Sequence, residues 1–378
     1  MNAGGGVVSR FGSCPYLAML IMSGNAAASG FSLLERDAAG LGRAYAGQAA
    51  VVSPAAVAFN PAAIPETTAL SGNLAQLWNQ VNPEDAGTQA TVPSLYGTHR
   101  NIGLGVYGAF GLATDYPEDW EGRYQALYSG INAARVQLTS SWSVTDSLRL
   151  GAGVFLQYFE AELTNAVPTP FGDGRFKVEG DDTGFGWSLG ALWSPSEQLD
   201  LGLSFASKVD HRLSGTATSP LGKQDASVPL TTPEVIRAGL RWRARPALSL
   251  LAGASWTRWS RLQSLDIQLG NGLMLSEQHR WRDTWRLDLG GEYERGPWTF
   301  RLGTAWDQAP IRDDSYRTPR LPDSDRTWLA AGLSYATGPW IFSTSYAHLW
   351  FANSQGEHPP VNYSARSNIL ALGLERTW

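Results

Sequence analysis

From about residue 67 onward the sequence alternates between apolar and polar residues with a period of two, segment after segment, and a chain patterned this way builds strands with two unlike faces. In 148–158, Leu148, Leu150, Ala152, Val154, Leu156 and Tyr158 form an apolar row, with Arg149, Gly151, Gly153 and Gln157 opposite. Trp285, Leu287, Leu289 and Tyr293 stand against Arg286, Asp288, Gly290, Glu292 and Glu294. Trp298, Phe300, Leu302 and Trp306 stand against Thr299, Arg301, Gly303 and Asp307. A soluble sandwich also alternates, but three further features point to a membrane. Aromatic residues gather at the ends of the apolar rows (Trp242, Trp256, Trp285, Trp298, Trp306, Trp340, Trp350), where a lipid-facing band has its interfacial girdles. The opposite face mixes small and charged residues, as a wet or plugged lumen does. Connections alternate between tight (144–147, 194–197, 295–297, 338–339) and long (111–130, 211–230, 259–282, 308–325, 352–364), the periplasmic-turn and extracellular-loop asymmetry of outer-membrane barrels.

Counting between these connections predicts an all-β fold: a fourteen-stranded antiparallel transmembrane β-barrel. Its strands lie near 67–78, 91–99, 101–110, 131–143, 148–165, 181–193, 199–210, 233–245, 247–258, 283–294, 298–307, 326–337, 340–351 and 365–378. Hydrocarbon offers no partner for free backbone groups, so such a sheet must close on itself. The last strand puts Leu370, Leu372, Leu374 and Trp378 in one row, resembling the aromatic terminal signal of bacterial outer-membrane proteins. A multi-pass barrel in the outer membrane of a Gram-negative cell is expected, monomeric, surrounded by outer-membrane lipid and inserted by the barrel-assembly machinery.

Composition agrees with two chemically different faces: 17% of residues are charged, against ~25% in ordinary soluble domains, and there are 16 Trp. Past the N-terminus no stretch approaches the ~20 consecutive apolar residues of a spanning helix. The early apolar run Pro15–Met22, preceded by Arg10 and followed by Ala26-Ala27-Ala28, has the layout of a secretory signal peptide, expected over 1–28. The single cysteine, Cys14, lies within it, which leaves 29–378 without disulfides, thiolate catalysis or cysteine metal ligands. A formal net charge of -5 points to no nucleic-acid partner.

Residues 29–66 do not alternate. They are rich in Ala, Gly and small polar residues, with turn formers at Ser53-Pro54 and Asn60-Pro61, and read as short helices joined by bends, packed as a hatch (plug) inside a barrel of residues 67–378. The blocks Gly30-Phe31-Ser32-Leu33, Gly40-Leu41-Gly42-Arg43-Ala44-Tyr45-Ala46-Gly47 and Phe59-Asn60-Pro61-Ala62 resemble the N-terminal hatch of the long-chain fatty acid outer-membrane transporters, the FadL family, which also contains aromatic-hydrocarbon transporters. Similar blocks follow at 108–114 with Trp120 and Gly122-Arg123-Tyr124, at Gly184–Trp187, at Trp256–Ser260 and at Leu321–Arg326.

The resemblance implies passive uptake of hydrophobic small molecules. Solute would be caught by extracellular loops, pass to an inner pocket and leave sideways where the third strand bends from its neighbour. Gly103, Gly105 and Gly108 in that strand mark a bend, or else make room for the plug. In the hatch, Asn60, Pro61 and Ala62 suit a fixed turn. Arg43 needs a lumenal carboxylate, for which Asp200, Asp288 and Glu292 are candidates. Arg175, Lys177 and Arg258 are headgroup candidates, or rim and loop charges.

The enzyme class offers little. His99, His211, His279, His348 and His358 lack metal-ligand spacing, and there is no G-x-S-x-G elbow for an outer-membrane hydrolase. Gly4-Gly5-Gly6 and Gly40-Leu41-Gly42 lack the strand and helix context of a phosphate loop. Neither cofactor nor metal is expected. A general porin would need an open, charged constriction, which an apolar plug opposes.

Overall fold

The computed structural model describes residues 30–357 and 359–378. The expected signal peptide, 1–28, and His358 lie outside the described residues. Nineteen strands follow one another among those described. The first seven are β1 (Ala69–Asn82), β2 (Gln89–His99), β3 (Ile102–Asp115), β4 (Tyr128–Ser143), β5 (Leu148–Thr169), β6 (Gly172–Ser196) and β7 (Leu199–Ala206). Next come β8 (Val209–Ser219), β9 (Gly222–Thr232), β10 (Val235–Arg245), β11 (Leu248–Thr257), β12 (Ser264–Leu269) and β13 (Met274–Gln278). The last are β14 (Thr284–Arg295), β15 (Trp298–Asp307), β16 (Arg326–Thr337), β17 (Trp340–Phe351), β18 (Ser354–Glu357) and β19 (Pro360–Thr377). Fourteen of these, β1–β7, β10, β11, β14–β17 and β19, form one antiparallel ring, closed by β1 on β19 from Ala69–Thr377 to Asn82–Ser364. No described helix is long and apolar enough to cross a membrane.

The remaining five strands stand off the ring at the end with the long connections. The connections expected at 211–230 and 259–282 are hairpins, β8–β9 and β12–β13, and β5 and β6 run on together as far as Thr169 and Gly172. Alternation alone ends β5 near 165 and starts β6 near 181, short of the turn that joins them. Small polar residues such as Thr216, Thr218 and Ser219 carry the alternation here, so no lipid-facing apolar row betrays it.

The predicted outer face is the exposed one. Leu370, Leu372 and Leu374 are 40, 54 and 41% exposed, while their neighbours Ile369 and Ala371 are buried. Trp285 pairs with Trp256 at one end of the band, and Trp298 with Tyr335 and Arg295 at the other. The eight steps from Trp285 to Tyr293 cover about 26 Å along β14 at ~3.3 Å per residue. With the usual strand tilt this reduces to roughly 20 Å of membrane depth, close to the ~25 Å apolar band of outer-membrane barrels.

Residues 30–66 fill the lumen as one short helix, α1 (Ala38–Leu41), and three 3-10 turns at Gln48–Ala50, Pro54–Ala58 and Pro61–Ala63. Asp37 caps α1 by accepting from the N–H groups of Ala39 and Gly40. The segment fits because the barrel wall is glycine where it touches. A Cβ on Gly151 would overlap the Pro61-Ala62 backbone, on Gly190 the Asn60 Oδ1, on Gly202 the Ala49 carbonyl and on Gly303 the Arg43 carbonyl. At Gly332 it would stand 2.7 Å from the Cα of Gly42, and at Gly373 3.0 Å from the Cβ of Ala38. Gly151 pairs with Gly190, Gly202 with Gly239, Gly239 with Gly253 and Gly290 with Gly303. They line much of the inner wall as a glycine belt.

Two outcomes follow for purified protein refolded into lipid vesicles. Leu372→Arg places a charge on the lipid face, and its unfolding free energy should fall by about 2–4 kcal/mol; an unchanged denaturation midpoint would mean that this face is wrongly assigned. Gly190→Val should leave the heat-modifiable gel mobility of a closed barrel intact while unseating Asn60, so that liposome swelling reports sugar permeation exceeding that of the wild type.

Candidate functional site

The site is built on an interruption in the ring. β2 and β3 pair only from His99–Ile102 to Ser94–Tyr107, and beyond Tyr107 the two strands part. Two local features sit at the parting. Pro93, which has no N–H to give, adjoins the last paired residue of β2. In β3 the register against β4 shifts between Gly108 and Phe110, leaving Ala109 as a bulge.

The lumenal segment takes up the backbone groups that β2 leaves. Leu33 N–H donates to the Ala109 carbonyl at 3.0 Å, Gly111 N–H donates to the Phe31 carbonyl at 2.8 Å, and Ser32 faces Phe110 between them. Residues 31–33 thus act as a short substitute strand on β3. The gap is closed at its outer end by Asp115 N–H on the Ala86 carbonyl and by Gly87 against Thr114.

Phe31 is also the hub of an aromatic cluster. Its ring centroid lies 4.7 Å from Trp259, 5.5 Å from Phe110, 5.9 Å from Trp281 and 6.2 Å from Phe159, and Trp259 meets Trp281 edge-on at 5.2 Å. Towards the long connections two apolar spaces adjoin this cluster. A cavity of about 60 Å³ is walled by Ile131, Phe159, Leu163, Val228, Leu230 and Leu265. A groove of about 650 Å³ lies among the off-ring hairpins, lined by Val167, Phe176, Leu265, Ile267 and Leu275 with Arg320 at its edge. Leu265 lines both, so groove and inner cavity stand on either side of one side chain, and Phe159 puts the cavity against the aromatic cluster.

The segment is pinned below this point. Arg43 donates to Glu292 Oε1 at 3.0 Å, and Glu292 also receives Arg301 at 2.9 Å and Arg241 at 3.3 Å. Of the three carboxylates proposed from the sequence Glu292 is thus the partner, while Asp288 accepts the Gly47 N–H and Asp200 pairs with Arg243. Asn60 Oδ1 accepts from Ala62 N–H, and its amide donates to the carbonyls of Ala49 and, across to β6, Ala191. Pro61 and Ala62 rest on Gly151. Gly40 lies against Asp37 and Tyr45, and Gly42 against Gly332. At the upper end the Gly30 N–H donates to Asp323 at 2.8 Å in the loop before β16. Burial pushes that carboxyl up to about 6, although Arg326 and this N–H act the other way.

The other expected residues are distributed differently. Gly103 and Gly105 lie in the paired part of β3, where Val57 of the lumenal segment approaches to 2.6 and 3.0 Å of where their Cβ would be, and Gly108 stands at the gap beside Leu33 and Val92. Arg175 pairs with exposed Glu118, Lys177 with Glu162 and Glu179, and Arg258 with Glu234; they are not gathered round one point. Three cations that sequence reasoning passed over do converge round Tyr107 and Phe59: Arg36, Arg135 and Arg237. Arg135 shares the inward row of Gln137 and Thr139, and Arg237 that of Gly239 and Arg241, so strand parity could have flagged both. No periodicity marks Arg36.

The sequence matches the family described as "Outer membrane protein transport protein (OMPP1/FadL/TodX)" over residues 19–367. It is 27% identical over 387 residues to the "Long-chain fatty acid transport protein" of Escherichia coli O6:H1, covering 85% of this chain and 86% of that one. To "Outer membrane protein P1" of Haemophilus influenzae it is 27% identical over 407 residues, covering 88% of each. The fold is that of a Pseudomonas aeruginosa FadL homologue, with a TM-score of 0.83 at 23% identity over 92% of this chain and 99% of that one. The Ralstonia pickettii toluene transporter TbuX superposes with a TM-score of 0.70 at 20% identity over 91% and 99%. The Escherichia coli relative and the Ralstonia pickettii structure are both named for transport. The chain belongs to the OMPP1/FadL/TodX family of outer-membrane transport proteins, and its barrel is one of a Gram-negative outer membrane.

Proposed function

We propose that the protein takes up hydrophobic small molecules, long-chain fatty acids foremost, by passive diffusion with a lateral exit between β2 and β3. One observation carries the reading: pairing of β2 with β3 stops at Tyr107, and Phe31–Leu33 fills the vacated side of β3. An apolar solute gains nothing from an aqueous pore but gains steadily on entering hydrocarbon. In this reading the groove among the off-ring hairpins captures solute, the cavity beside Phe159 and the aromatic cluster receive it, and residues 29–66 act as the hatch within the barrel of residues 67–378. The substitute strand is held by two backbone hydrogen bonds to β3, the Gly30 bond to Asp323 and ring contacts of Phe31, whereas the base is held by the buried Glu292 ion pairs and Asn60. The upper strand can therefore swing aside while the base stays seated. The seam between β1 and β19 is fully paired and offers no edge to a second copy, which supports a monomer. Nothing in this route requires bond-making chemistry.

Uptake of aromatic hydrocarbons is the second reading. The rings of Phe31, Phe110, Phe159, Trp259 and Trp281 favour it, as does the likeness in fold to a toluene transporter.

A crosslink tests the lateral route. Ser32 and Phe110 form a non-hydrogen-bonded antiparallel pair, flanked by the two hydrogen bonds above. Such pairs bring Cα atoms to about 4.5 Å, within disulfide range. Cells expressing Ser32→Cys with Phe110→Cys should take up labelled oleate when reduced and lose at least about 90% of that uptake when oxidised, a tenfold effect of the kind expected when one obligatory step is blocked. Equal uptake in both states would remove hatch displacement from the mechanism. Running labelled toluene alongside separates the two substrate readings.

A further inference from the structure

At the end with the long connections most accessible cations are paired. Arg258 and Arg261 share Glu234, Lys208 meets Asp210, Arg123 meets Asp173, and Arg175 meets Glu118. Arg280 and Arg312 are the departure. Both are exposed, and neither side chain makes a hydrogen bond or an ion pair among the described residues; Arg280 lies over the Tyr316 ring at 4.9 Å. The two open on one pocket of about 890 Å³ in the outer rim, whose walls include Arg282, Ser260 and Gln263. Arg282 is held loosely, by the Ala309 carbonyl at 3.2 Å and Asp325 at 3.8 Å. The carboxylates of the pocket are engaged by backbone, Asp283 accepting the Ser260 N–H and Asp313 the Ser315 N–H. Arg280 also sits at φ +46°, a left-handed conformation that a residue with a Cβ adopts only under strain.

Arg282 also lines a second pocket on its other side, of about 710 Å³, walled by Asn353, Gln355, Asn362 and Ser364. Carboxamides and hydroxyls both donate and accept, as the hydroxyls of a sugar do. Two more hydroxyls in this wall, those of Ser354 and Tyr363, have no hydrogen-bond partner among the described residues. A guanidinium-rich pocket and an amide-rich one thus stand side by side, with Arg282 between them. Their height is set by β14. Asp283 lies two residues beyond Trp285 on the same outward row, about 7 Å past the indole that ends the apolar band. Aromatic girdles lie at the level of the lipid headgroups, so this part of the rim faces the headgroup layer of the outer leaflet.

We propose that this sector of the rim binds the phosphorylated saccharide headgroup of an outer-leaflet glycolipid. The phosphate sits at Arg280 and Arg312, and the adjoining sugar reaches past Arg282 into the amide-lined pocket. A guanidinium fork matches phosphate oxygens two at a time, and here two forks are without a counter-charge. The glycolipid of a Gram-negative outer leaflet carries phosphate directly on its sugars, the pairing of chemistries that the two pockets offer. A membrane lipid fits better than a soluble sugar phosphate because the site stands at headgroup height, beside lipid that is always present. Bound there, the lipid would tie the β13–β14 connection to the loop before β16. The site is independent of the transport reading, since no solute passes through it.

The test uses the purified barrel in non-ionic detergent, with EDTA present so that no divalent cation bridges Asp283 or Asp313 to the lipid. Binding of a fluorescent rough-type lipopolysaccharide, phosphorylated lipid A with its inner-core sugars, is compared with that of the same lipid after phosphatase treatment. The acyl chains are common to both and drop out of the comparison. The wild type should bind the phosphorylated form about tenfold more tightly, the scale of one charge-assisted hydrogen bond. Arg280→Gln with Arg312→Gln should abolish that preference, and Asn362→Ala should weaken both forms. Arg245→Gln with Arg295→Gln removes two exposed arginines at the tight-turn end and should keep the preference. Heat-modifiable gel mobility identifies assembled protein. Equal binding of the two lipids by the wild type, equal loss in the two double variants, or unchanged binding in Asn362→Ala overturns the proposal. Displacement by glucose 1-phosphate as complete as by unlabelled lipopolysaccharide overturns the assignment to a membrane lipid.

Discussion

In the hydrocarbon layer a backbone N–H or C=O has no partner except another strand, so the barrel has to be complete or has to supply something in place of each missing strand. The ring is complete at the β1–β19 seam and interrupted between β2 and β3. There the chain offers its own N-terminal segment, from the inside. Much else follows from that substitution. To present Phe31–Leu33 to β3 at the right height, residues 34–66 must be seated firmly below, and to be seated they need a wall without side chains. The glycine belt and the bonds of Asn60 meet those needs.

Charge placement divides the lumen into an ion-paired part and an unpaired part. Around Glu292 the ion pairs are buried and mutually satisfied, and removing one member of such a cluster costs about 3–5 kcal/mol because the others are left uncompensated. That region is an anchor. Around Tyr107 the cations are stabilised only by rings, amides and a backbone carbonyl, a weaker arrangement. The two regions lie on the same lumenal segment, Arg43 in one and Arg36 in the other, so the segment is rigid at one end and more loosely held at the other.

Much of this was legible in the sequence because the membrane imposes a strict period. Alternation located the fourteen ring strands, and the rows ending in Trp256, Trp285 and Trp298 located the band. The pairing need of a buried guanidinium called for a lumenal carboxylate beside Arg43, and Glu292, one of three offered as examples, is the one that meets it. Where the period is carried by small polar residues, as in β8 and β9, the outer hairpins looked like loops. The parting of β2 from β3 was indicated only by three glycines, of which two, Gly103 and Gly105, serve to admit Val57. The convergence of Arg36, Arg135 and Arg237 could not be read at all. It depends on how a segment without periodicity lies across strands far away in the chain.

The glycine belt also removes an ambiguity that alternation cannot. Sliding a strand by one residue exchanges its two faces and is forbidden, but sliding it by two restores the pattern and leaves lipid and lumen each facing suitable residues. A barrel specified by pattern alone would therefore tolerate several shears. Against a seated hatch it does not. A two-residue slip of β19 would bring Ala371 or Glu375 to the place where Gly373 admits Ala38. In β15 it would bring Arg301 or Ala305 under the Arg43 carbonyl, and in β6 Ser188 or Leu192 under Asn60. The segment inside the barrel is thus a gauge for the wall outside it, accepting one stagger of the strands and rejecting its near copies.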